Sequence, residues 1–267
     1  MTDRQMDSGG KPDSDAEGRA GALRAPAPEV RVSVVIPARN EARNLPYVFS
    51  RLPEGLHQVV LVNGHSTDVT VEVARELLPS IEIVTQPGTG KGDALHAGFA
   101  VCTGDVIVML DADGSTDPRE IPRFVAALQA GADFVKGSRY AQGGGSSDLT
   151  VSRKLGNTFL CWLVNSFFAT NFTDLCYGYN AFWRRCLPYI RLDATGFEVE
   201  TMINVRIARA GLSIQEVPSY ERPRLNGISN LRAVRDGLLI LRTIALERLR
   251  VSQRRALSAL LHGGVHA

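Results

Sequence analysis

Two aspartates one residue apart, Asp111 and Asp113, follow directly after the apolar run at residues 106–110. A short run of this kind, rich in β-branched side chains, is typical of a strand buried on both faces inside a parallel sheet. Ligands of open α/β sheets bind at the C-terminal ends of the strands, and Mg²⁺ and Mn²⁺ prefer carboxylate oxygens. The pattern therefore indicates a divalent metal site, although a polar loop that merely closes a strand uses the same residues.

A glycine-rich loop at residues 87–93 places Lys91 between two glycines. A P-loop is excluded, because Thr85 stands at the position of its first glycine and Gly92 follows the lysine. A Rossmann fingerprint is excluded as well, because it should follow the first strand, where this chain has residues 37–41. The loop therefore suits a nucleotide or phosphate through its single lysine, or else it is a surface turn with a solvated lysine.

Strands and helices alternate through the first half of the chain, which predicts a doubly wound sheet that is mostly parallel. Helical patterns begin near Ala42, Asp68 and Ala94, and Ser66 or Thr67 is expected to cap the second of them. The predicted strands are residues 31–37, 58–62, 81–84, 106–110 and 132–137.

The second half has a different pattern. A glycine-serine loop at residues 143–147 precedes an aromatic-rich helix near residues 151–169. A short strand at residues 178–183, a helix near residues 199–210 and a strand at residues 213–217 follow, and then a long basic helix. With no internal repeat, one domain with a helical C-terminal extension is the simplest arrangement.

The composition sets wide bounds. A chain of 267 residues with 44% hydrophobic residues can bury a large core, and a net charge of +2 argues neither for nor against nucleic acid, so no nucleic-acid partner is predicted. Four cysteines without paired spacing predict reduced thiols in a cytoplasmic protein. No signal peptide or apolar run of about 18 residues is visible, which favours a soluble or peripheral protein. Residues 1–30 are predicted to be a disordered tail.

Several segments, taken together in their order and spacing, resemble the family 2 glycosyltransferases with the GT-A fold. They are residues 34–41, Ser66-Thr67-Asp68, Gly90-Lys91-Gly92 and Asp111-Ala112-Asp113. Further segments look like the dolichyl-phosphate mannose synthase branch, namely residues 136–140, 173–175, 196–200, 216–218, and Arg224 ahead of residues 227–231. The resemblance covers residues 31 to about 245, and it implies a GT-A domain at residues 31–228 followed by basic amphipathic helices at residues 229–267.

The resemblance also implies roles for individual residues. The nucleotide-sugar donor is expected at Pro37, Arg39, Glu41, Asn63, Lys91, Asp111, Ala112 and Asp113, with Mg²⁺ or Mn²⁺ on Asp111 and Asp113. The catalytic residues are expected to be Asp113, Arg139 and Asp174. The acceptor is expected at Arg139, Arg153, Arg224, Ser229 and Asn230.

Two departures from the family pattern bear on specificity. The usual Asp-Asp-Gly-Ser turn is residues 63–66, Asn-Gly-His-Ser, in this chain, so an amide replaces a carboxylate that normally reads the base. Asn230 stands where the family usually has a lysine, which removes one candidate phosphate contact.

The acceptor determines whether a base is needed. A lipid phosphate is already ionised at neutral pH, so cations that position it suffice, and the guanidinium groups of Arg139, Arg153 and Arg224 match phosphate geometry. A hydroxyl acceptor requires a carboxylate base, for which Asp174, Glu198 and Glu200 are the candidates. These residues could equally be a helix cap and an exposed first helical turn.

Two helices bear on membrane contact. The aromatic-rich helix, with Leu155, Phe159, Trp162, Leu163 and Phe167, is expected to pack in the core rather than in a membrane belt. The segment at residues 222–255 has nine arginines and two acidic residues, and its helical stripe suits either an anionic membrane surface or a basic solvated face. The stripe consists of Leu231, Val234, Leu238, Leu241, Ala245 and Leu249.

The sequence thus predicts an inverting glycosyltransferase that moves a hexose from a GDP-mannose or UDP-glucose type donor to a polyprenyl phosphate at the cytoplasmic membrane face. One alternative is transfer to a soluble or secondary-metabolite hydroxyl, and another is a non-catalytic sugar-nucleotide binding protein. A nucleotidyltransferase is disfavoured, because no glycine-rich nucleotide loop follows the first strand.

Overall fold

One seven-stranded sheet organises the molecule. The structure, a computed structural model, describes residues 30–228 and 232–262, so the predicted tail and Ser229, Asn230 and Leu231 lie outside the described residues. The strands are β1 (Val32–Ala38), β2 (Gln58–Asn63), β3 (Glu82–Thr85), β4 (Val106–Met109), β5 (Phe134–Ser138), β6 (Gly145–Ser146), β7 (Asn180–Trp183), β8 (Ile214–Pro218) and β9 (Tyr220–Glu221).

The helices flank this sheet and extend beyond it. They are α1 (Leu45–Phe49), α2 (Thr70–Leu77), α3 (Lys91–Val101), α4 (Ile121–Gln129), α5 (Val151–Phe168), α6 (Leu187–Ile190), α7 (Val199–Arg209) and α8 (Ala233–His262). The second of them begins at Thr70 and has no side-chain cap, so the prediction that Ser66 or Thr67 caps it is wrong. Those two side chains instead hydrogen bond to Asn40.

The strand order is β3-β2-β1-β4-β7-β5-β8, with β6 and β9 in a separate pair. Only β7 is antiparallel to its neighbours, β4 and β5. The other pairs in the sheet are parallel. The prediction of a mostly parallel sheet is confirmed, and the carboxyl ends of six strands meet at one edge.

The strand before the two aspartates is interior and completely buried, as predicted. It differs from the prediction in two respects: it ends at Met109, and one of its two neighbours is the antiparallel β7. Because β7 runs in the opposite direction, Asn180 pairs with Met109. The segment that leads into β7 therefore crosses the edge where the aspartates lie.

Two apolar layers cover the sheet, and a third lies outside them. Alternate residues of β1 point to opposite faces, with Ile36 in the first layer and Val35 in the second. This burial on both faces explains the continuous apolar runs of the interior strands. In the third layer, α5 and α8 pack on α7 through a cluster that includes Leu160, Val164 and Ile244.

The aromatic stripe of α5 does not pack in the core, and that prediction is wrong. Leu155, Phe159 and Trp162 are 66%, 50% and 61% exposed, and Phe167 is also exposed. The helix turns a different face inward, with Asn157, Leu160, Cys161 and Val164 buried. Helical periodicity marks residues that share a face, but it does not say which of two apolar faces meets the domain.

Most of the described residues of the apolar stripe predicted in the C-terminal segment face away from the domain, although Leu241 packs against the third layer. Val234, Leu238 and Leu249 are exposed, whereas Ile240 and Ile244 are buried. Glu247, on the buried face, forms ion pairs with Arg206 and Arg209 of α7. Both α5 and α8 thus present apolar side chains outward.

The four cysteines are all free thiols. Burial raises the pKa of Cys102 and of Cys161 to about 12, which keeps both protonated at neutral pH. Within the described ranges, residues 30–228 and 232–262, no helix has the length and apolar character needed to cross a membrane.

Candidate active site

The two aspartates lie in a cleft at the carboxyl edge of the sheet. Asp111 and Asp113 follow β4, with side chains that are 29% and 22% exposed. Ala112, between them, is buried in the first apolar layer. Successive side chains here point in opposite directions, so the two carboxylates face the cleft and the methyl group of Ala112 faces the core.

Lys91 lies between two carboxylates. Its Nζ is 2.6 Å from Asp111 Oδ1 and 2.6 Å from Glu200 Oε1, and its side chain is only 12% exposed. Burial alone lowers the pKa of Lys91, but the charges and hydrogen bonds of the two carboxylates outweigh it and raise the pKa well above its usual value. The amine is therefore a fixed positive charge, and it is not a solvated surface lysine.

The glycines beside Lys91 let its loop dock on the loop before α7. Gly92 N donates to Thr195 O at 2.8 Å. A Cβ at Gly90 would meet the carbonyl oxygen of Thr195, and one at Gly92 would meet that of Ala194, each closer than real Cβ atoms approach. The glycine-rich sequence thus serves close backbone packing, which positions Lys91 opposite Glu200.

Gly178 closes the other side of this ion cluster. A Cβ at Gly178 would lie 2.7 Å from Lys91 Nζ and 3.2 Å from Asp111 Oδ2, and it would overlap Glu200 Oε1. The segment around Gly178 is held in place by the buried Lys136 of β5, whose Nζ donates to Tyr177 O at 2.7 Å. The segment before β7 therefore forms one wall of the cleft.

Replacing Gly178 by Ala is expected to separate Lys91, Asp111 and Glu200. The overpacking should lower the free energy of unfolding by about 1–3 kcal/mol, and it should weaken Mn²⁺ and nucleotide binding, as measured by calorimetry. Gly156→Ala is the matched control, because a Cβ there meets nothing within 4 Å. Unchanged metal and nucleotide affinity in Gly178→Ala would contradict this account of the wall.

Asp113 belongs to a second ion cluster, with Arg224 and Glu41. Arg224 Nη1 is 3.3 Å from Asp113 Oδ2, and Arg224 Nη2 pairs with Glu41 Oε1. Burial raises the pKa of Glu41, although the hydrogen bond from Asn44 and the charge of Arg224 act in the opposite direction. This cluster joins the loop after β1 to the loop after β4.

Residues 222–226, here called the strap, cross the cleft mouth. Arg222 N donates to Ser115 O at 2.8 Å, and Leu225 N donates to Asp113 O at 3.2 Å. Asn226 Nδ2 donates to Asn44 Oδ1 at 2.9 Å. The strap thus brings Arg224, predicted as an acceptor contact, to the residues predicted for the donor.

The other residues predicted for the donor lie at the ends of β1 and β2. Pro37 is half-buried and Arg39 is exposed. Asn63 Oδ1 accepts from Ser66 N at 2.9 Å, which shapes the turn after β2. His65 has a left-handed φ of 58°, so it is a turn residue, as the sequence suggested. These side chains line the part of the edge next to Glu41.

Arg139 and Asp174 form a buried ion pair. Arg139 Nε and Nη2 donate to the two Asp174 oxygens at 2.7 and 2.9 Å, and Arg139 Nη1 is 3.0 Å from Glu221 Oε2. The side chains of Arg139 and Asp174 are 6% and 0% exposed. This geometry favours a structural role, and their roles as phosphate contact and base stay predictions.

The last two predicted side chains differ in what surrounds them. Arg153, in the first turn of α5, pairs with Asp148 at 3.1 Å and is 38% exposed. Glu198, one of the candidate bases, is buried, and its Oε2 has no hydrogen-bond partner among the described residues. Arg153 stays a predicted acceptor contact, and Glu198 stays a candidate base.

The sequence indicated Glu200 only as a candidate base, and its pairing with Lys91 was not predicted. The two residues are far apart in the chain, so the sequence held no local signal for the contact. The flanking Gly90 and Gly92 were the available hint, because glycines permit a close approach of another segment of backbone.

The carboxylate oxygens of Asp111 and Asp113 are suitable ligands for a hard divalent cation. Among the described residues, no group of three or more His, Cys, Asp and Glu side chains is placed to hold a metal. Two carboxylates open to a cleft suit an ion whose remaining ligands come from water and from the phosphates of a bound nucleotide.

Two enzymes of lipid-phosphate mannosylation are similar to this chain in sequence. It is 33% identical to the polyprenol monophosphomannose synthase of Mycolicibacterium smegmatis over 221 residues, which cover 76% of this chain and 82% of that protein. It is 34% identical to the undecaprenyl-phosphate mannosyltransferase of Micrococcus luteus over 203 residues, which cover 71% of this chain and 82% of that protein.

The fold is similar to that of a solved GT-A enzyme. The glucosyl-3-phosphoglycerate synthase of Mycobacterium tuberculosis, in complex with Mn²⁺, UDP and glucosyl-3-phosphoglycerate, superposes with a TM-score of 0.64 at 22% identity. The match covers 82% of this chain and 80% of that one. The model of the family described as glycosyl transferase family 2 matches residues 33–187. The chain is therefore a glycosyltransferase of family 2, with the GT-A fold, in the branch that resembles dolichyl-phosphate mannose synthase.

Proposed function

We propose that this glycosyltransferase moves a hexose, with inversion, from a nucleotide-diphosphate sugar of the GDP-mannose or UDP-glucose type to a polyprenyl phosphate at a membrane surface. The observation that carries the acceptor assignment is the pair of outward apolar faces on α5 and α8. Two relatives named for polyprenol and undecaprenyl-phosphate mannosylation support it.

On the donor side, Asp111 and Asp113 would hold Mg²⁺ or Mn²⁺. When bound, the ion neutralises the negative charge that develops on the departing diphosphate. Lys91 supplies a second fixed positive charge beside Asp111. Glu41 and Asn63, at the ends of β1 and β2, are placed to contact the nucleoside.

On the acceptor side, an ionised phosphate oxygen can attack without a base. Of the three arginines predicted for the acceptor, Arg224 is the one that contacts Asp113, and its guanidinium fork suits a phosphate. Its present partners, Glu41 and Asp113, are residues of the donor site. Arg224 therefore has to share or exchange these contacts when it holds an acceptor.

Membrane contact is supported by the side chains that surround the apolar faces. The α5 sequence has no acidic residue, and Lys154 on α5 is exposed. On α8, Arg235 and Arg242 are exposed beside Val234 and Leu238. Apolar side chains flanked by cations match an anionic bilayer surface.

Replacing both Leu155 and Trp162 by Ser is expected to weaken binding to vesicles that contain phosphatidylglycerol by roughly tenfold or more, because their apolar area stays in water. Co-sedimentation measures the loss. Val69→Ser is the matched control, since Val69, at the N-cap of α2, is 58% exposed. Equal binding by the two variants would exclude the α5 face as the contact.

A soluble hydroxyl acceptor is the second candidate, and one observation favours it. Glu198 has a buried carboxylate oxygen without a partner, and a general base must have an oxygen free to take a proton. Asp174 is less suited, because Arg139 holds both of its oxygens.

A donor and acceptor panel tests the proposal. Transfer is measured with GDP- and UDP-sugars, with Mg²⁺ or Mn²⁺, and with polyprenyl phosphate or a small alcohol as acceptor. Glycosylated polyprenyl phosphate is the expected product. Transfer to the alcohol alone, with a loss in Glu198→Gln, would overturn the lipid acceptor and support the second candidate.

A further inference from the structure

Glu200 is the least exposed member of the Lys91 cluster, and it lies on a buried stretch of helix α7. Its side chain is 8% exposed, against 29% for Asp111. Residues 199–207 of α7 are all buried, whereas Asp111 belongs to a loop at the cleft. Of the two carboxylates that hold Lys91, Glu200 is therefore the fixed one and Asp111 is the one that can exchange its partner.

The charges of the cluster favour such an exchange. Lys91 balances only one of two carboxylates, so the cluster keeps a net negative charge. A divalent ion on Asp111 would compete with the amine for the same oxygens. Lys91 cannot leave the cleft easily, because its loop is docked on the loop before α7 through Gly90 and Gly92.

We propose that Glu200 is a positioning residue that keeps Lys91 in the cleft, where Lys91 occupies Asp111 until metal binds and then turns to the diphosphate of the donor. This inference rests on the donor assignment of the proposed function and is independent of the acceptor. It assigns to Glu200 a role that acts through Lys91.

The first test measures Mn²⁺ alone on the full chain, from the electron paramagnetic resonance signal of the free ion. Lys91→Met is expected to bind Mn²⁺ roughly tenfold more tightly than the unmodified protein, because a charged hydrogen bond no longer competes for Asp111. Glu200→Gln is expected to bind it more weakly, because Lys91 then has Asp111 as its remaining carboxylate. Unchanged or weaker binding by Lys91→Met overturns the exchange.

The double variant distinguishes positioning from a simple effect of charge. If Glu200 acts through Lys91, Glu200→Gln has no further effect in the Lys91→Met background. An equal loss of Mn²⁺ affinity in both backgrounds means that Glu200 acts only as a negative charge, and it overturns the positioning role. Glu82→Gln is the control, since it removes a carboxylate from the opposite end of the sheet, in β3.

The second test measures GDP and UDP binding in saturating Mn²⁺ by calorimetry. One of the two nucleoside diphosphates is expected to bind, and Lys91→Met is expected to lower its affinity by roughly tenfold. The affinity for the corresponding nucleoside should be unchanged. Equal losses for diphosphate and nucleoside indicate general damage and contradict the assignment. Thermal unfolding verifies each variant, and Lys91→Gln replaces Lys91→Met if the latter does not fold.

These outcomes separate the inference from the proposed function. Neither measurement includes an acceptor, so failure to glycosylate polyprenyl phosphate leaves both results intact. If neither nucleotide binds, the donor assignment fails, whereas the Mn²⁺ measurement still decides whether Lys91 occupies Asp111.

Discussion

Replacing Asp113 by Ala is expected to lower metal-dependent sugar transfer by roughly a hundredfold to a thousandfold. The substitution removes one of two carboxylates at the end of β4, and the remaining site cannot hold a divalent ion between its side chains. It also frees Arg224, which then keeps Glu41 as its partner in the donor site. Initial rates over a range of Mn²⁺ concentrations measure the effect.

The control for Asp113→Ala lies at the opposite end of the same strand. Asp105 precedes β4 and pairs with Arg31 at the surface, so Asp105→Asn removes a charge far from the cleft and should leave turnover intact. Metal-dependent turnover that survives in Asp113→Ala would rule out this carboxylate as a metal ligand. No turnover with any donor in the unmodified protein would favour a non-catalytic binding protein.

Replacing Asp174 by Ala is expected to lower the free energy of unfolding by about 3–5 kcal/mol, because it leaves the buried guanidinium of Arg139 without its bidentate partner. Burial lowers the pKa of Arg139, but the hydrogen bonds and charges of Asp174 and Glu221 outweigh it and raise the pKa. The arginine stays charged when Asp174 is removed, because a guanidinium keeps its proton at neutral pH and Glu221 still lies 3.0 Å from its Nη1. Urea unfolding, monitored by circular dichroism, measures the loss in the free energy of unfolding.

Two further variants decide between a structural and a catalytic Asp174. Asp174→Asn keeps the shape of the side chain, and the double variant Arg139→Met, Asp174→Leu replaces the ion pair by apolar groups. The double variant should recover most of the stability. If Asp174→Asn unfolds normally yet loses turnover a hundredfold, Asp174 is a base and the structural assignment is wrong.

The interior strands could be predicted closely because their burial leaves a local pattern. β2 is Gln58–Asn63 where residues 58–62 were predicted, and β1 is Val32–Ala38 where residues 31–37 were predicted. A strand covered on both faces needs apolar residues at nearly every position, so its limits are visible in the sequence. The aspartates were found by the same pattern, since they directly follow such a strand.

The direction of β7 and the outward face of α5 could not be read in this way. Alternation of strands and helices predicts parallel pairs, and nothing in the composition of residues 180–183 indicates that this strand runs antiparallel. The α5 sequence has apolar residues on two faces, and only the packing of Leu160 and Val164 against α7 and α8 decides which is buried. Both features depend on distant residues.

The ion clusters of the site were the hardest feature to anticipate. Lys91, Arg224 and Arg139 were chosen as single cations that would face ligands, and the structure gives each of them carboxylate partners. Glu200, Glu41 and Glu221 supply those partners from three different elements. Charge pairing over such separations follows from the tertiary structure and has no sequence period.

The antiparallel β7 also sets the order in which the sheet is completed during synthesis. The facing edges of β4 and β5 stay open until residues 180–183 have left the ribosome, because β7 is the strand that joins them. Unpaired edges of apolar strands invite pairing with other chains, and long-range pairing of this kind is slow to form. The pairing of β4 on both sides is therefore complete only when the wall that carries Gly178 is in place.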